Sequence, residues 1–175
     1  MGTRLRVYVA SPLGFAESTR AYGSAVSEAL RDAGFEPLDP WEGSEGQFAE
    51  AFAAAEEARG PEERQRELER IDLAIGRHNH DLLQQADAVL AVLDGTDVDS
   101  GTAAEVGFAA ACRLPVVGLR SDKRQAGEND GCSVNLQVEY FVRLNGGAIT
   151  SSLEEAVGQL RLVGERLRPS GAELR

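Results

Sequence analysis

The chain reads as a doubly wound α/β domain on a parallel sheet, and three observations carry that expectation. Apolar, strand-like runs alternate with amphipathic helical stretches along nearly the whole sequence. Ala88–Leu93 (Ala-Val-Leu-Ala-Val-Leu) is continuously apolar, as a strand covered on both faces must be. The polar residues suited to chemistry fall just after strand runs, at Ser11–Phe15, Asp39–Glu42 and Asp94–Glu105. In open parallel sheets ligands bind there, outside the carboxyl ends of the strands near the switch in strand order.

Each element follows from its own pattern. Leu5–Ala10 alternates, is rich in Val and Tyr, and ends at Ser11-Pro12-Leu13-Gly14. Phe15–Ala33 is helical, closed by Gly34 at the position after a helix where the backbone favours glycine. Phe35–Leu38 is a short second strand, and Asp39-Pro40-Trp41-Glu42-Gly43 has loop chemistry. Gln47–Arg59, rich in Ala and Glu, predicts a helix broken by Gly60-Pro61, with Pro61 suited to a first helical turn. In the next helix, Glu62–Gln85, Leu68, Ile71, Ile75, His78 and Leu82 recur every three or four residues, an amphipathic stripe. Ala88–Leu93 is the central strand, followed by a helix carrying Glu105 and a buried strand at Pro115–Leu119. After a polar loop through Gly131, Val134–Leu144 predicts a helix and Gly147–Thr150 a last short strand. Ser152 caps a final helix ending near Leu167. Residues 1–167 are thus expected to form one domain and residues 168–175 a loose tail.

The composition narrows the function classes. With 175 residues, 42% hydrophobic and 27% charged, the chain has the make-up of an ordinary globular domain with a sizeable core. A net charge of −11 without a basic stripe argues against a nucleic-acid partner, which needs clustered Lys and Arg. No apolar stretch is long enough to span a bilayer, and the amino-terminal run has no signal-peptide pattern. Cys112 and Cys132 lack metal-ligand spacing. The expectation is a reduced, cytoplasmic protein without membrane association.

The stretch Asp97–Ala111 is the most informative. Glu105 is the only charged residue between Asp99 and Arg113, on a helix that reads as buried on nearly every side. A carboxylate in apolar surroundings loses solvation and needs either hydrogen-bond partners or a reason to be reactive. Asp99 stands where the preceding loop turns into that helix. Two structural readings compete: Thr102-Ala103-Ala104-Glu105 fits a capping box, and Asp99 or Ser100 fits a plain N-cap.

Other motifs exclude or suggest. Neither a dinucleotide-binding glycine fingerprint nor a P-loop occurs, so no nucleotide cofactor is expected. His78 and His80 are two apart on a helix and diverge; His78 reads as a packed core histidine, and no metal is expected. Asp81 borders the apolar stripe near the end of its helix, where the helix dipole disfavours a carboxylate and raises its pKa, as suits a general acid. Trp41 could stack on a flat ring or simply pack.

The run Leu93-Asp94-Gly95, Val98-Asp99-Ser100-Gly101-Thr102, Glu105-Val106-Gly107-Phe108-Ala109, then Pro115-Val116-Val117-Gly118-Leu119-Arg120-Ser121-Asp122 and Arg124, resembles the nucleoside 2-deoxyribosyltransferase family. So do Val7-Tyr8-Val9-Ala10-Ser11-Pro12-Leu13, Asn79-His80-Asp81, and Val134-Asn135-Leu136 ahead of Gly147-Ala148-Ile149. The resemblance runs from about Tyr8 to the final helix and implies a flavodoxin-like fold.

It also implies an activity without a cofactor. Glu105 matches a nucleophile that attacks the anomeric carbon of a 2′-deoxynucleoside to form a glycosyl-enzyme, which a second base then resolves. Tyr8 matches the tyrosine that orients it, Asp81 the acid that protonates the leaving base, and Asp99 the carboxylate that holds the sugar hydroxyls. Asn135 matches an asparagine given to a neighbouring subunit's pocket, which implies a homo-oligomer with shared active sites. Gly101, Trp41 and Phe15 complete the expected substrate contacts. Gln137 departs from the pattern, standing where an apolar residue lines the sugar pocket. The implied ligands are nucleosides and free nucleobases.

The chemistry agrees with this, since one carboxylate attacking while another assists the leaving group is established for glycosidic bonds. With Glu105 placed near the first turn of its helix, the positive end of the dipole is expected to keep it ionised. Two rivals use the same residues: a hydrolase of nucleoside 5′-monophosphates on the same scaffold, and a non-catalytic nucleoside- or nucleotide-sensing module.

Overall fold

Five short strands pair edge to edge, all parallel, in the order β2-β1-β3-β4-β5. They are β1 (Arg6–Ala10), β2 (Glu36–Leu38), β3 (Ala88–Val92), β4 (Val116–Leu119) and β5 (Ala148–Thr150). Parallel neighbours need crossover connections. These come from α1 (Glu17–Asp32), the pair α2 (Ser44–Glu56) and α3 (Pro61–Gln85), α4 (Ser100–Ala111) and α5 (Leu136–Leu144), and α6 (Leu153–Leu167) closes the series. The doubly wound parallel sheet predicted from the sequence is therefore the fold, and its strand order is that of the flavodoxin-like class. The order reverses between β1 and β3, so the switch point lies at their carboxyl ends. The computed structural model describes residues 4–167, apart from the side chains of Ser44, Glu45 and Gln47; the expected tail, 168–175, lies outside the described residues.

Strand alternation sorts the sheet into two faces. On one, Val7, Val9, Leu90, Val92, Val117 and Leu119 pack with Val26 and Leu30 of α1 and Ala156, Leu160 and Val163 of α6. On the other, Tyr8, Val89, Ala91, Val116 and Gly118 are buried on the side where α4 and α5 lie against the strands. β3 is buried along its whole length, which explains its unbroken apolar sequence. Gly147 is obligatory: a Cβ there would stand 1.7 Å from the carbonyl oxygen of Val116.

The chain divides into two compact units, one formed by the chain up to Leu38 and from Ala86 onward, the other by Asp39–Gln85. In the second unit α2 packs on α3. Ala55, Ile71 and Leu83 are buried, and Phe48 meets His78 edge to face with ring centroids 6.2 Å apart. His78 is thus a packed histidine, as its place on the stripe implies.

Beyond shifts of a single residue, three helices differ from expectation, and in one of them, α5, the start moves from Val134 to Leu136 because Asn135 is the cap. α1 starts at Glu17 rather than Phe15, because the Phe15 amide donates to Pro12 O at 3.2 Å in a turn. α2 runs from Ser44 to Glu56 instead of Gln47 to Arg59. Gly43, at φ 80°, starts it early, and Glu63 accepts the Arg59 amide at 2.8 Å, turning the chain into α3.

Candidate active site

The site begins with a contact between residues 97 apart in sequence. Tyr8 is fully buried in β1 and points to the α4 face of the sheet. On α4, Thr102, Val106, Ala109 and Ala110 are buried, which turns Glu105, three residues after Thr102 and four before Ala109, toward the same side. The Tyr8 hydroxyl donates to Glu105 Oε1 at 2.6 Å. The other oxygen, Oε2, accepts no hydrogen bond, and no cation pairs with the carboxylate among the described residues.

Burial pushes the Glu105 carboxyl up to about 7, against the hydrogen bond from Tyr8, which lowers it; the negative charge of Asp99 raises it further. The helix dipole does not keep Glu105 ionised as expected. Helix α4 begins at Ser100, so Glu105 sits in the second turn, where the dipole has faded and desolvation decides. Nor is α4 buried on nearly every side: Gly101, Ala104 and Ala111 are exposed, being small residues that read as apolar yet leave little to hide.

Asp99 is the N-cap of α4. Its Oδ2 accepts the Thr102 amide at 2.9 Å and the Thr102 hydroxyl at 3.1 Å, so the cap is Asp99 and the alternative Thr102–Glu105 capping box does not form. Oδ1 accepts no hydrogen bond from the described residues. Capping therefore leaves one Asp99 oxygen uncommitted. Gly101 lies in the first turn, where a Cβ would approach Asp99 Oδ2 to 3.2 Å.

The loop before α4 is tied to the loop after β4. Asp94 accepts from the amides of Ser121 and Asp122, at 2.6 and 2.8 Å, and from the Ser121 hydroxyl at 2.8 Å. The amide of Gly95 donates to Asp122 at 3.2 Å. Arg124 grips Asp122, and the hydrogen bonds it makes hold the Asp122 carboxyl well below the usual carboxylate range. Arg120, buried beneath, bonds to carbonyls of both loops. None of these roles is readable from local pattern.

The remaining expected residues are distributed as follows. Asn135 is the N-cap of α5: Oδ1 accepts the amides of Gln137 and Val138, and Nδ2 donates to Glu128 at 2.8 Å. Phe15, in the turn after β1, is 74% exposed. Asp81 and Trp41 belong to the second unit. Asp81 is exposed on α3, its Oδ1 3.2 Å from Nδ1 of His80. Trp41 is half-buried, its amide donating to Asp39 at 3.0 Å. Glu128 was not anticipated; no pattern distinguishes it in a polar loop.

Among the described residues no cluster of His, Cys, Asp and Glu could hold a metal ion, and no helix is long and apolar enough to cross a membrane.

A model of the nucleoside 2-deoxyribosyltransferase family matches residues 7–137. Among solved structures, a conserved protein from Enterococcus faecalis V583 is 24% identical over 94% of this chain and 100% of its own, with a TM-score of 0.64. A 2-deoxyribosyltransferase from Leishmania mexicana is 23% identical over 93% and 99%, with a TM-score of 0.59. A CMP N-glycosidase from Clostridium botulinum is 17% identical over 90% and 98%, with a TM-score of 0.52. At these identities the likeness speaks for a shared fold. A comparison with curated proteins finds no match.

Proposed function

The chain belongs to the nucleoside 2-deoxyribosyltransferase family, and from that premise we propose that it cleaves the N-glycosidic bond of 2′-deoxynucleosides and passes the deoxyribosyl group to a second purine or pyrimidine base. The observation that carries this reading is the Tyr8–Glu105 pair: a carboxyl group withdrawn from solvent, held at one oxygen by a phenol and open at the other.

In the proposed reaction Glu105 attacks the anomeric carbon while the carbon–nitrogen bond breaks and its electron pair leaves with the base. The family resemblance alone assigns the proton for the departing base to Asp81. A ring nitrogen of the second base then attacks the glycosyl ester, gives up its proton, and releases the Glu105 carboxylate. The missing 2′-hydroxyl makes the oxocarbenium-like transition state easier to reach. Asp99, with Oδ1 open, is suited to hold the sugar hydroxyls.

Incubation with deoxyinosine and adenine, followed by chromatography, tests the proposal: deoxyadenosine and hypoxanthine are expected. The negative charge of Asp99 weighs against a 5′-phosphate, since like charges in a closed pocket cost several kcal/mol. Faster turnover of deoxyadenosine monophosphate, with free sugar phosphate as product, would replace the transferase by a hydrolase.

The same reading takes the active form as a homo-oligomer with shared pockets. On α5, Leu136, Tyr140 and Leu144 are 54%, 56% and 48% exposed and recur every four residues, while Val138 and Val142 fill the core side. This second apolar face supports pairing with another copy of the chain. Mixing the inactive variants Glu105→Ala and Asn135→Ala should restore activity where subunits exchange. No recovery despite exchange assigns Asn135 to its own subunit.

A further inference from the structure

We propose that Arg120 is a positioning residue whose guanidinium latches the β3–α4 loop to the β4–α5 loop and so fixes Asp99 at the head of α4. Arg120 is 7% exposed and lies on the Tyr8 face of the sheet, two residues beyond Gly118. Its Nη1 donates to Leu93 O at 2.5 Å. Its Nη2 donates to Gly95 O at 3.2 Å and to Arg124 O at 2.6 Å. Among the described residues this buried cation has no carboxylate partner. Three acids of the same loops are engaged elsewhere: Asp94 with Ser121 and the Asp122 amide, Asp97 with the Val98 amide, Asp122 with Arg124 and Gly95.

A guanidinium that spends its donors on main-chain carbonyls fixes backbone rather than side chains. Burying such a charge is costly unless its donors are satisfied, so the three carbonyls are held where the fork requires them. The strand ladder does not do this work. Its last bond here, Leu93 N to Leu119 O at 2.8 Å, lies before the loops begin, and Arg120 acts beyond it. Gly95 adapts to the latch: at φ 131°, a backbone conformation side chains resist, a Cβ would stand 2.9 Å from Asp97 O. Only three residues separate Gly95 from Asp99, so clamping the Gly95 carbonyl leaves the cap little play. A lysine carries the charge but not the planar fork that reaches several acceptors at once.

The catalytic consequence rests on the proposed role of Asp99 toward the sugar; the latch itself does not. Arg120→Met and Arg120→Lys are compared with the parent by circular dichroism and by hydrogen–deuterium exchange. Both variants are expected to fold and to exchange amides in 94–99 and 121–125 about tenfold faster or more, with β1 and α1 unchanged. In activity, both should lose the preference for a 2′-deoxynucleoside over its 2′,3′-dideoxy analogue, as Asp99→Ala is also expected to, and lysine should not restore it. Parental exchange in both loops of a folded Arg120→Met overturns the latch. Faster exchange with the sugar preference intact overturns the positioning of Asp99. Failure of both variants to fold overturns the proposal by making Arg120 part of the core. A parent without glycosyl transfer sinks the proposed function, while the exchange data still judge the latch.

Discussion

Two carboxylates meet β1, one at its first residue and one at its middle, and their surroundings differ in kind. Asp87, just before β3, accepts the Arg6 amide at 2.8 Å and pairs with the Arg6 guanidinium at 3.3 Å. Glu105, on α4, has a phenol for a partner and, among the described residues, no cation. The first arrangement satisfies a charge and joins two strands. The second takes a charge out of water without compensating it, and burial lifts the Glu105 carboxyl up to about 7. The fold neutralises one carboxylate with a cation and leaves the other without one, and the second arrangement is what the proposed function asks of a nucleophile.

The sharpest way to break that contrast is Glu105→Ala. Removing a covalent catalyst should lower base exchange by roughly three orders of magnitude or more while circular dichroism stays unchanged. A folded variant retaining a tenth of the parent rate (on the order of one decade) strips Glu105 of the nucleophile's role. Tyr8→Phe comes next. Losing the donor should cut kcat by about tenfold to a hundredfold and move the acidic limb of the pH profile above its position near 7, because the phenol favours the ionised carboxylate. A limb that stays in place counts against Tyr8 as its partner.

Stability offers a gentler probe. Glu105 goes from an ordinary value of 4.5 to about 7 on folding, so the folded state holds the extra proton between these values. That contribution is complete below pH 4.5 and is lost as pH rises through 7. Glu105→Gln, which never ionises, should gain on the parent by on the order of 2 kcal/mol between about pH 5 and pH 8. Urea midpoints at both pH values test this, and a constant difference would refute it. The smallest effect belongs to Asp87→Asn: a half-exposed pair is worth about 1 kcal/mol or less, and base exchange should match the parent.

The parts of this molecule written in short patterns were legible in its sequence. Ala88–Leu93 announced a doubly covered strand and Gly34 a helix end, and a lone carboxylate on α4 marked Glu105. What the sequence concealed was set by tertiary contact. The protonation of Glu105 departs from expectation because a dipole can be read along one helix, whereas desolvation depends on Tyr8 and the sheet behind it. Arg120 stands in the family-like run, but its contacts are not legible there, because an arginine is expected to seek acids and carbonyl partners carry no residue code. Asn135 could be recognised by resemblance, but not its dependence on Glu128. The early start of α2 rested on the left-handed backbone of Gly43, in a loop where glycine is common.

The strand order also has a consequence in time. Val7–Ala10 must pair with Ala88–Ala91, and between them the ribosome must make α1, β2 and the whole second unit. At about 5–20 residues per second, one edge of β1 waits on the order of ten seconds for its partner. Through that interval β1 and β2 can associate through α1, but the open edge of a Val-rich strand is a template for any other extended chain. Synthesis therefore exposes, for a time, an edge of the same strand that later presents Tyr8.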